Sequence, residues 1–203
     1  MRDATRVIHA GRREPVQGAP FLPGPVFAAP YHLKGDPAGV PYTYGRFDNP
    51  TWSGFEQALG ELEEGEAVVY ASGMAASAAV LGSALQPGDT VVLPEDGYYT
   101  TRLLAVGYFA RAGITVRKAP TANDAQGGFL EGAKLLWLES PTNPGLDVCD
   151  IRALAESARM RGAVVVVDNT TATVLGQRPL RLGADLSLAS DTKGLTGHSD
   201  VVL

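Results

Sequence analysis

An α/β fold, a mostly parallel sheet flanked by helices, is what the sequence predicts, and three observations predict it. Short continuous apolar runs such as TVVL, KLLWL and AVVVV have the length and character of strands buried on both faces. Segments with apolar residues at helical spacing, bounded by capping residues and glycines, lie between them. The two kinds of segment alternate, which is the order that builds a parallel sheet.

The elements follow in chain order. The first fifty residues are dense in Pro and Gly and have little periodicity, so residues 1–50 are expected to form an extended N-terminal arm. An arm carrying Phe21, Leu22, Val26, Phe27 and Tyr31 is expected to lie on its own domain or on a neighbouring subunit rather than in water. From residue 51 onward a single domain, 51–203, is expected. Trp52, Phe55, Leu59 and Leu62 share one face of a helix that Gly65 is placed to end. SGMAASAAVLGSALQPGD is a second helix, with Ser72 as N-cap and Gly88 past its end. TVVLPED is a buried strand, YYTTRLLAVGYFARAG a third helix and ITVRKA a strand. AKLLWLESP is a strand, and DIRALAESARMRG a helix capped by Asp150 and closed by Gly162. AVVVVDN and ADLSLAS are the last two strands.

Composition narrows the class. Forty-five per cent apolar residues suffice for a core, and 24 Gly with 14 Pro indicate a loop-rich globular chain. A net charge of −5 gives no electrostatic support for nucleic-acid binding. The single cysteine, Cys149, excludes an intrachain disulfide and fits a reducing compartment. The charged N-terminus has no signal-peptide core, and AVVVV is far too short to span a bilayer. A cytoplasmic protein with no membrane partner and no metal site is therefore expected.

In parallel sheets the ligand sits beyond the carboxyl ends of the strands. Four strand ends here carry polar or aromatic residues: Pro94 to Tyr98, Glu139 to Asn143, Asp168-Asn169, and Ser190 to Lys193. Ser72-Gly73-Met74 opens a helix whose free N–H groups suit a phosphate, or simply cap the helix. Neither a dinucleotide nor a P-loop glycine pattern occurs. Asp168, after an apolar strand, suits a protonated ring nitrogen, or bonds its own turn. Lys193, among Ser190, Thr192, Gly194 and Gly197, is either an amine desolvated as a Schiff-base lysine requires or a surface loop lysine. Tyr44 and Arg46, two apart in an extended stretch, face one side and suit a phosphate, or are a surface arginine beside an aromatic. Tyr98 or Tyr99 is placed to stack on a flat ring, or the two form a core pair. His198 is expected to bond backbone in its loop. A phosphate, a protonated ring nitrogen, a flat ring and an aldehyde together describe pyridoxal 5'-phosphate.

The segments YTYGRFDNPT, ASGMAA, ESPTNP, VVVDNT and SDTKGLTGHSD, in this order over residues 42–200, resemble the Cys/Met-metabolism family of pyridoxal-phosphate enzymes. The PYHL arm and the LPEDGYY loop most resemble its actinobacterial cystathionine γ-lyases. The resemblance implies a fold-type-I large domain. It implies Lys193 as the covalent anchor of the cofactor and the proton shuttle at Cα and Cβ, and Asp168 as partner of the pyridine nitrogen. It implies Gly73 and Met74 as main-chain donors to the phosphate, and Ser190 and Thr192 as its hydroxyl donors. Tyr44 and Arg46 are implied to reach the phosphate of a neighbouring subunit, hence a homo-oligomer, dimer or tetramer. Asn143 is implied near the cofactor's phenolic oxygen and the substrate carboxylate, with Glu139 a supporting acid nearby. The family pattern Y-G-x-T-x-R would put its ring-stacking tyrosine at Gly97, so Tyr98, with the loop shortened by one, is expected to take that role, and Tyr99 is the second choice.

Family chains run to about twice this length. The resemblance therefore implies an incomplete large domain, without the small C-terminal domain and its carboxylate-binding arginine: a fragment, a truncated product or part of a split enzyme. The implied reaction is γ-elimination on cystathionine to cysteine, 2-oxobutanoate and ammonia. The alternatives are methionine γ-lyase, cystathionine γ-synthase or O-acetylhomoserine sulfhydrylase and, in another class, a non-catalytic remnant that binds the cofactor or pairs with a full-length homologue.

Overall fold

The computed structural model describes residues 2–12 and 14–203. The chain divides into two compact units, Met1–Val69 and Tyr70–Leu203.

The first unit holds α1 (Asp3–His9) and α2 (Pro50–Glu63). Asn49 caps α2 by accepting from the Thr51 amide, and Pro50 takes the first helical position, where a missing N–H costs nothing. The same Asn49 side chain donates to the carbonyls of Val26 and Ala28 at 3.1 and 3.2 Å, pinning that stretch of the arm. The left-handed residue that ends α2 is Glu64, not Gly65: its φ is 63°, and the Gly65 amide returns to the Gly60 carbonyl. Helix α1 was not foreseen; it is one short polar helix with no buried residue, so it leaves no apolar stripe in the sequence. Phe21 and Phe27 are 81% and 95% exposed in the single chain.

The second unit is the sheet expected from the sequence. Its elements are α3 (Gly73–Ala84), β1 (Thr90–Pro94), α4 (Tyr99–Leu104), β2 (Thr115–Ala119), β3 (Leu135–Glu139), α5 (Ile151–Arg159), β4 (Val164–Asp168), α6 (Thr173–Gly176) and β5 (Leu186–Leu188). All strand pairs are parallel, in the order β2-β1-β3-β4-β5. Alternate residues of the central strands feed two cores. Leu136, Leu138, Val165 and Val167 pack with Ile151, Leu154 and Ala158 of α5 on one face. Leu135, Trp137 and Val166 pack with Leu81 of α3, Ala105 and Phe109 on the other. The long third helix foreseen from residue 98 runs as α4 and then a π-helical turn, Ala105–Phe109, which the sequence pattern does not mark. Asp150 caps α5 as expected, at 3.0 Å from the Ala153 amide.

Cys149 is free, and burial pushes its thiol up to about 11, so it is inert as a nucleophile. Among the described residues no helix is long and apolar enough to cross a membrane.

Leu136 is fully buried between β1, β4 and α5. Leu136→Ala is expected to lower stability by about 2–5 kcal/mol through a residual cavity; urea unfolding followed by far-UV circular dichroism measures it.

Candidate active site

Strand order reverses between β1 and β3, and a crevice opens at the carboxyl ends of the strands there. A cavity of about 270 Å³ occupies it. Gly73 and Met74, Tyr98, Asn143, Asp168, and Ser190 with Thr192 and Lys193 all border this one cavity. They come from the N-terminus of α3 and from the loops after β1, β3, β4 and β5. The expected convergence of four strand ends is thus present.

Each wall has a local cause. Ser72 is extended and caps α3 by accepting from the Ala75 amide at 3.1 Å, which turns the first N–H groups of the helix toward the cavity rim. At Gly73 an added Cβ would stand 2.7 Å from Cβ of Ser190, so this contact between helix and loop needs glycine. The Ser190 and Thr192 hydroxyls border the cavity beside the N-terminus of α3. Two hydroxyls beside a helix N-terminus form a donor set suited to a phosphate.

Asp168 is 8% exposed, and burial raises its carboxyl above the usual range, against the lowering effect of two Thr170 hydrogen bonds and of the Lys193 charge. The Thr170 amide and hydroxyl donate to Oδ1 at 3.1 and 2.6 Å. Oδ2 accepts no hydrogen bond among the described residues. Asp168 borders the cavity, so this oxygen can take an N–H from a ligand there.

Of the two readings of Lys193, the structure shows the surface loop lysine. It is exposed rather than desolvated, in a segment without regular structure, and its Nζ donates to Ser190 Oγ at 2.9 Å. The amine is oriented by a hydroxyl, not by burial. His198 Nδ1 lies 2.6 Å from the Thr196 carbonyl, a backbone contact as expected.

Tyr98 stands at the N-terminal boundary of α4 and borders the cavity, whereas Tyr99 is 60% exposed and meets Tyr98 edge-on at 5.4 Å. Tyr44 and Arg46 belong to the first unit, where the Arg46 guanidinium lies over the rings of Tyr44 and Phe47 at 5.3 and 5.2 Å.

Two contributors were missed. Thr170 bonds Asp168 and also accepts from the Ser190 amide at 2.9 Å, joining the ends of β4 and β5. Its position two residues after an aspartate is the signature of a side-chain turn, and that signal was available. Gln177 donates to the Ser140 carbonyl at 2.7 Å and to Asn169 Oδ1 at 2.9 Å, tying the loops after β3 and β4 together. Nothing local in the sequence announces it.

Glu139 closes β3 and is 4% exposed. Burial foremost pushes its carboxyl up to about 7, with Asp168 and Asp96 adding to the rise and the amides of Tyr98 and Asn143 opposing it.

The family model described as Cys/Met metabolism PLP-dependent enzyme matches residues 4–203. A Streptomyces coelicolor protein named "Putative cystathionine gamma-lyase" is 61% identical over 99% of this chain and 52% of its own length. A Mycobacterium tuberculosis cystathionine γ-synthase is 42% identical over 98% of this chain and 52% of its own. A Micromonospora echinospora protein, described in one crystal structure as a cystathionine γ-lyase and in another as a methionine γ-lyase, superposes with a TM-score of 0.90 at 40% identity. It covers all of this chain, which covers 54% and 55% of those two chains. The chain therefore spans about half the length of the relatives it matches.

The Glu139 shift has a definite sign. The folded chain holds this proton up to about pH 7, while the unfolded chain releases it near the ordinary value of 4.5. Between those values the folded state binds more protons, so this group's contribution to stability falls as pH rises. Glu139→Gln is expected to flatten that decline by at most about 1.4 kcal/mol per pH unit, measured by urea unfolding across this range without added cofactor.

Proposed function

Because the chain belongs to the Cys/Met-metabolism family of pyridoxal-phosphate-dependent enzymes, we propose that its cavity holds the reacting centre of a γ-elimination on cystathionine, which with water gives cysteine, 2-oxobutanoate and ammonia. The observation that carries this reading is the shared cavity wall of Lys193 and the buried Asp168, beside the donor set of Gly73, Met74, Ser190 and Thr192. The name of the 61%-identical relative favours the lyase over the synthase.

When bound, pyridoxal phosphate supplies an aldehyde that condenses with amines and a ring that withdraws electrons. The residues present fit it. The main-chain N–H groups of Gly73 and Met74, with the Ser190 and Thr192 hydroxyls, would hold the phosphate. The Asp168 carboxyl would serve the ring nitrogen, and Tyr98 the ring face. Lys193 Nζ would be the amine that anchors the cofactor and the group that moves protons at Cα and Cβ of the substrate, oriented by Ser190 Oγ. Asn143 orients the substrate carboxylate. Tyr44 and Arg46 serve the phosphate of a neighbouring copy, which makes the protein a homo-oligomer, dimer or tetramer, and gives the exposed arm residues Phe21 and Phe27 a surface to cover. In this assignment residues 1–50 are the arm and residues 51–203 carry the cofactor.

A second reading is methionine γ-elimination, favoured by the methionine γ-lyase description of the Micromonospora protein.

The purified protein with added pyridoxal phosphate is expected to show a visible absorption band that borohydride removes, and Lys193→Ala is expected to lack it; a band indifferent to Lys193→Ala would defeat the assignment of the anchor. Given the band, kcat/KM for 2-oxobutanoate release is expected to be at least about tenfold higher with cystathionine than with methionine. The reverse order would establish the second reading, and product formation only from O-acetylhomoserine with a thiol would overturn both.

A further inference from the structure

Glu139 is engaged on both oxygens. Oε2 accepts the Tyr98 amide at 2.6 Å and Oε1 accepts the Asn143 amide at 2.8 Å. These donors stand on the loops after β1 and β3, whose connections lead to opposite faces of the sheet. The Tyr98 amide belongs to the same peptide unit as the Gly97 carbonyl, and that carbonyl accepts from Arg102 Nε at 3.0 Å. Both ends of this one peptide are therefore held, one by Glu139 and the other by Arg102. The fit is tight: a Cβ on Gly97 would come 2.7 Å from Glu139 Oε2 and 2.7 Å from Pro94 Cγ.

We infer that Glu139 is a positioning residue, whose single buried carboxylate spans the crevice where strand order reverses and fixes, through their main-chain amides, the two residues Tyr98 and Asn143 that face the ligand from its two sides. The inference rests on the site assignment only for what Tyr98 and Asn143 do, not for the clamp itself. The residue type follows from the geometry. Two N–H groups arrive on two different oxygens, and only a carboxylate offers an acceptor at both. A glutamine of the same length would turn its NH2 onto one of the amides and leave that donor unmet. Charge around the clamp comes from Asp168 on β4, its neighbour in register, from Asp96 in the loop after β1, from Arg102 on α4, and from Lys193 across the cavity.

The test begins without cofactor. In 15N-resolved spectra the amides of Tyr98 and Asn143 are expected to titrate together with one midpoint near pH 7, the value to which burial pushes this carboxyl, and to lose that titration in Glu139→Gln. Separate midpoints, or titrations that persist in Glu139→Gln, overturn the inference. With cofactor, Glu139→Gln is expected to weaken pyridoxal-phosphate binding, followed by tryptophan fluorescence, by about tenfold or more. In a Tyr98→Ala background the same change is expected to cost less than about threefold, because coupled residues are not additive. Unchanged affinity in Glu139→Gln, or fully multiplicative losses, overturn the inference. If wild type titrates both amides as stated but takes up no cofactor through Lys193, the clamp stands and the site assignment falls. If Glu139→Gln has no cooperative thermal transition, Arg102→Met releases the other end of the same peptide. It is expected to shift the Tyr98 amide and spare that of Asn143, and an unmoved Tyr98 amide overturns the inference.

Discussion

The reversal of strand order between β1 and β3 is the constraint on which the second unit depends. Parallel neighbours need crossover connections, and right-handed crossovers running to opposite sides place α5 on one face and α4 on the other. The loops after β1 and β3 must then part, and the gap between them cannot be filled by either helix. The cavity is that gap. Its walls are strand ends, the loops that follow them and a helix start, so Glu139 and Asp168 are positioned by hydrogen-bonded sheet while Asn143 and Lys193 reach it from loops. The apolar strands that make the sheet stable also carry Glu139 and Asp168 to the edge of the low-dielectric interior.

Those two carboxylates are adjacent in register, at the ends of β3 and β4. Burial raises both, and each is eased differently: Glu139 by two main-chain amides, Asp168 by the amide and hydroxyl of Thr170 and by the charge of Lys193. Two buried acids side by side disfavour each other's ionisation. A protonated ring nitrogen at Asp168 Oδ2 would remove part of that conflict by pairing one of the charges. The electrostatics of this wall thus favour a ligand with a cationic N–H on the β4 side, with Glu139 left to its amides.

Much of this was legible in the sequence, and the reason is physical. Strands buried on both faces produce unbroken apolar runs, and caps such as Ser72 and Asp150 act within three residues of their own position, so a local pattern suffices. What escaped is what depends on partners distant in sequence. Gln177 reaches Ser140, and Glu139 reaches Tyr98 across 41 residues; neither contact leaves a mark in a local window. The terminating residue of α2 escaped for the opposite reason: Glu64 adopts the left-handed conformation next to a glycine that would take it more readily. Lys193 was recognised by its neighbours, but they left a desolvated amine and a surface loop lysine both open, because small flanking residues indicate a close approach without saying what covers the amine.

The groups that face the cavity fall into two kinds. Gly73, Tyr98, Asp168 and Ser190 sit at or beside element ends, and in the proposed assignment they address the cofactor: phosphate, ring face and ring nitrogen. Asn143 and Lys193 are exposed, on loops, and in the same proposal they address the amino acid and the attachment of the cofactor. Crystal structures described as a γ-lyase and as a γ-synthase superpose on this chain with TM-scores of 0.90 and 0.89. A scaffold held in common to that degree cannot be what separates elimination from replacement. Under the proposed function the distinction would arise where the γ-substituent leaves and its successor arrives. Glu139 stands at the boundary of the two kinds. It is buried with the first and accepts the Asn143 amide of the second, so the loop after β3 is tied back to the sheet through one carboxylate.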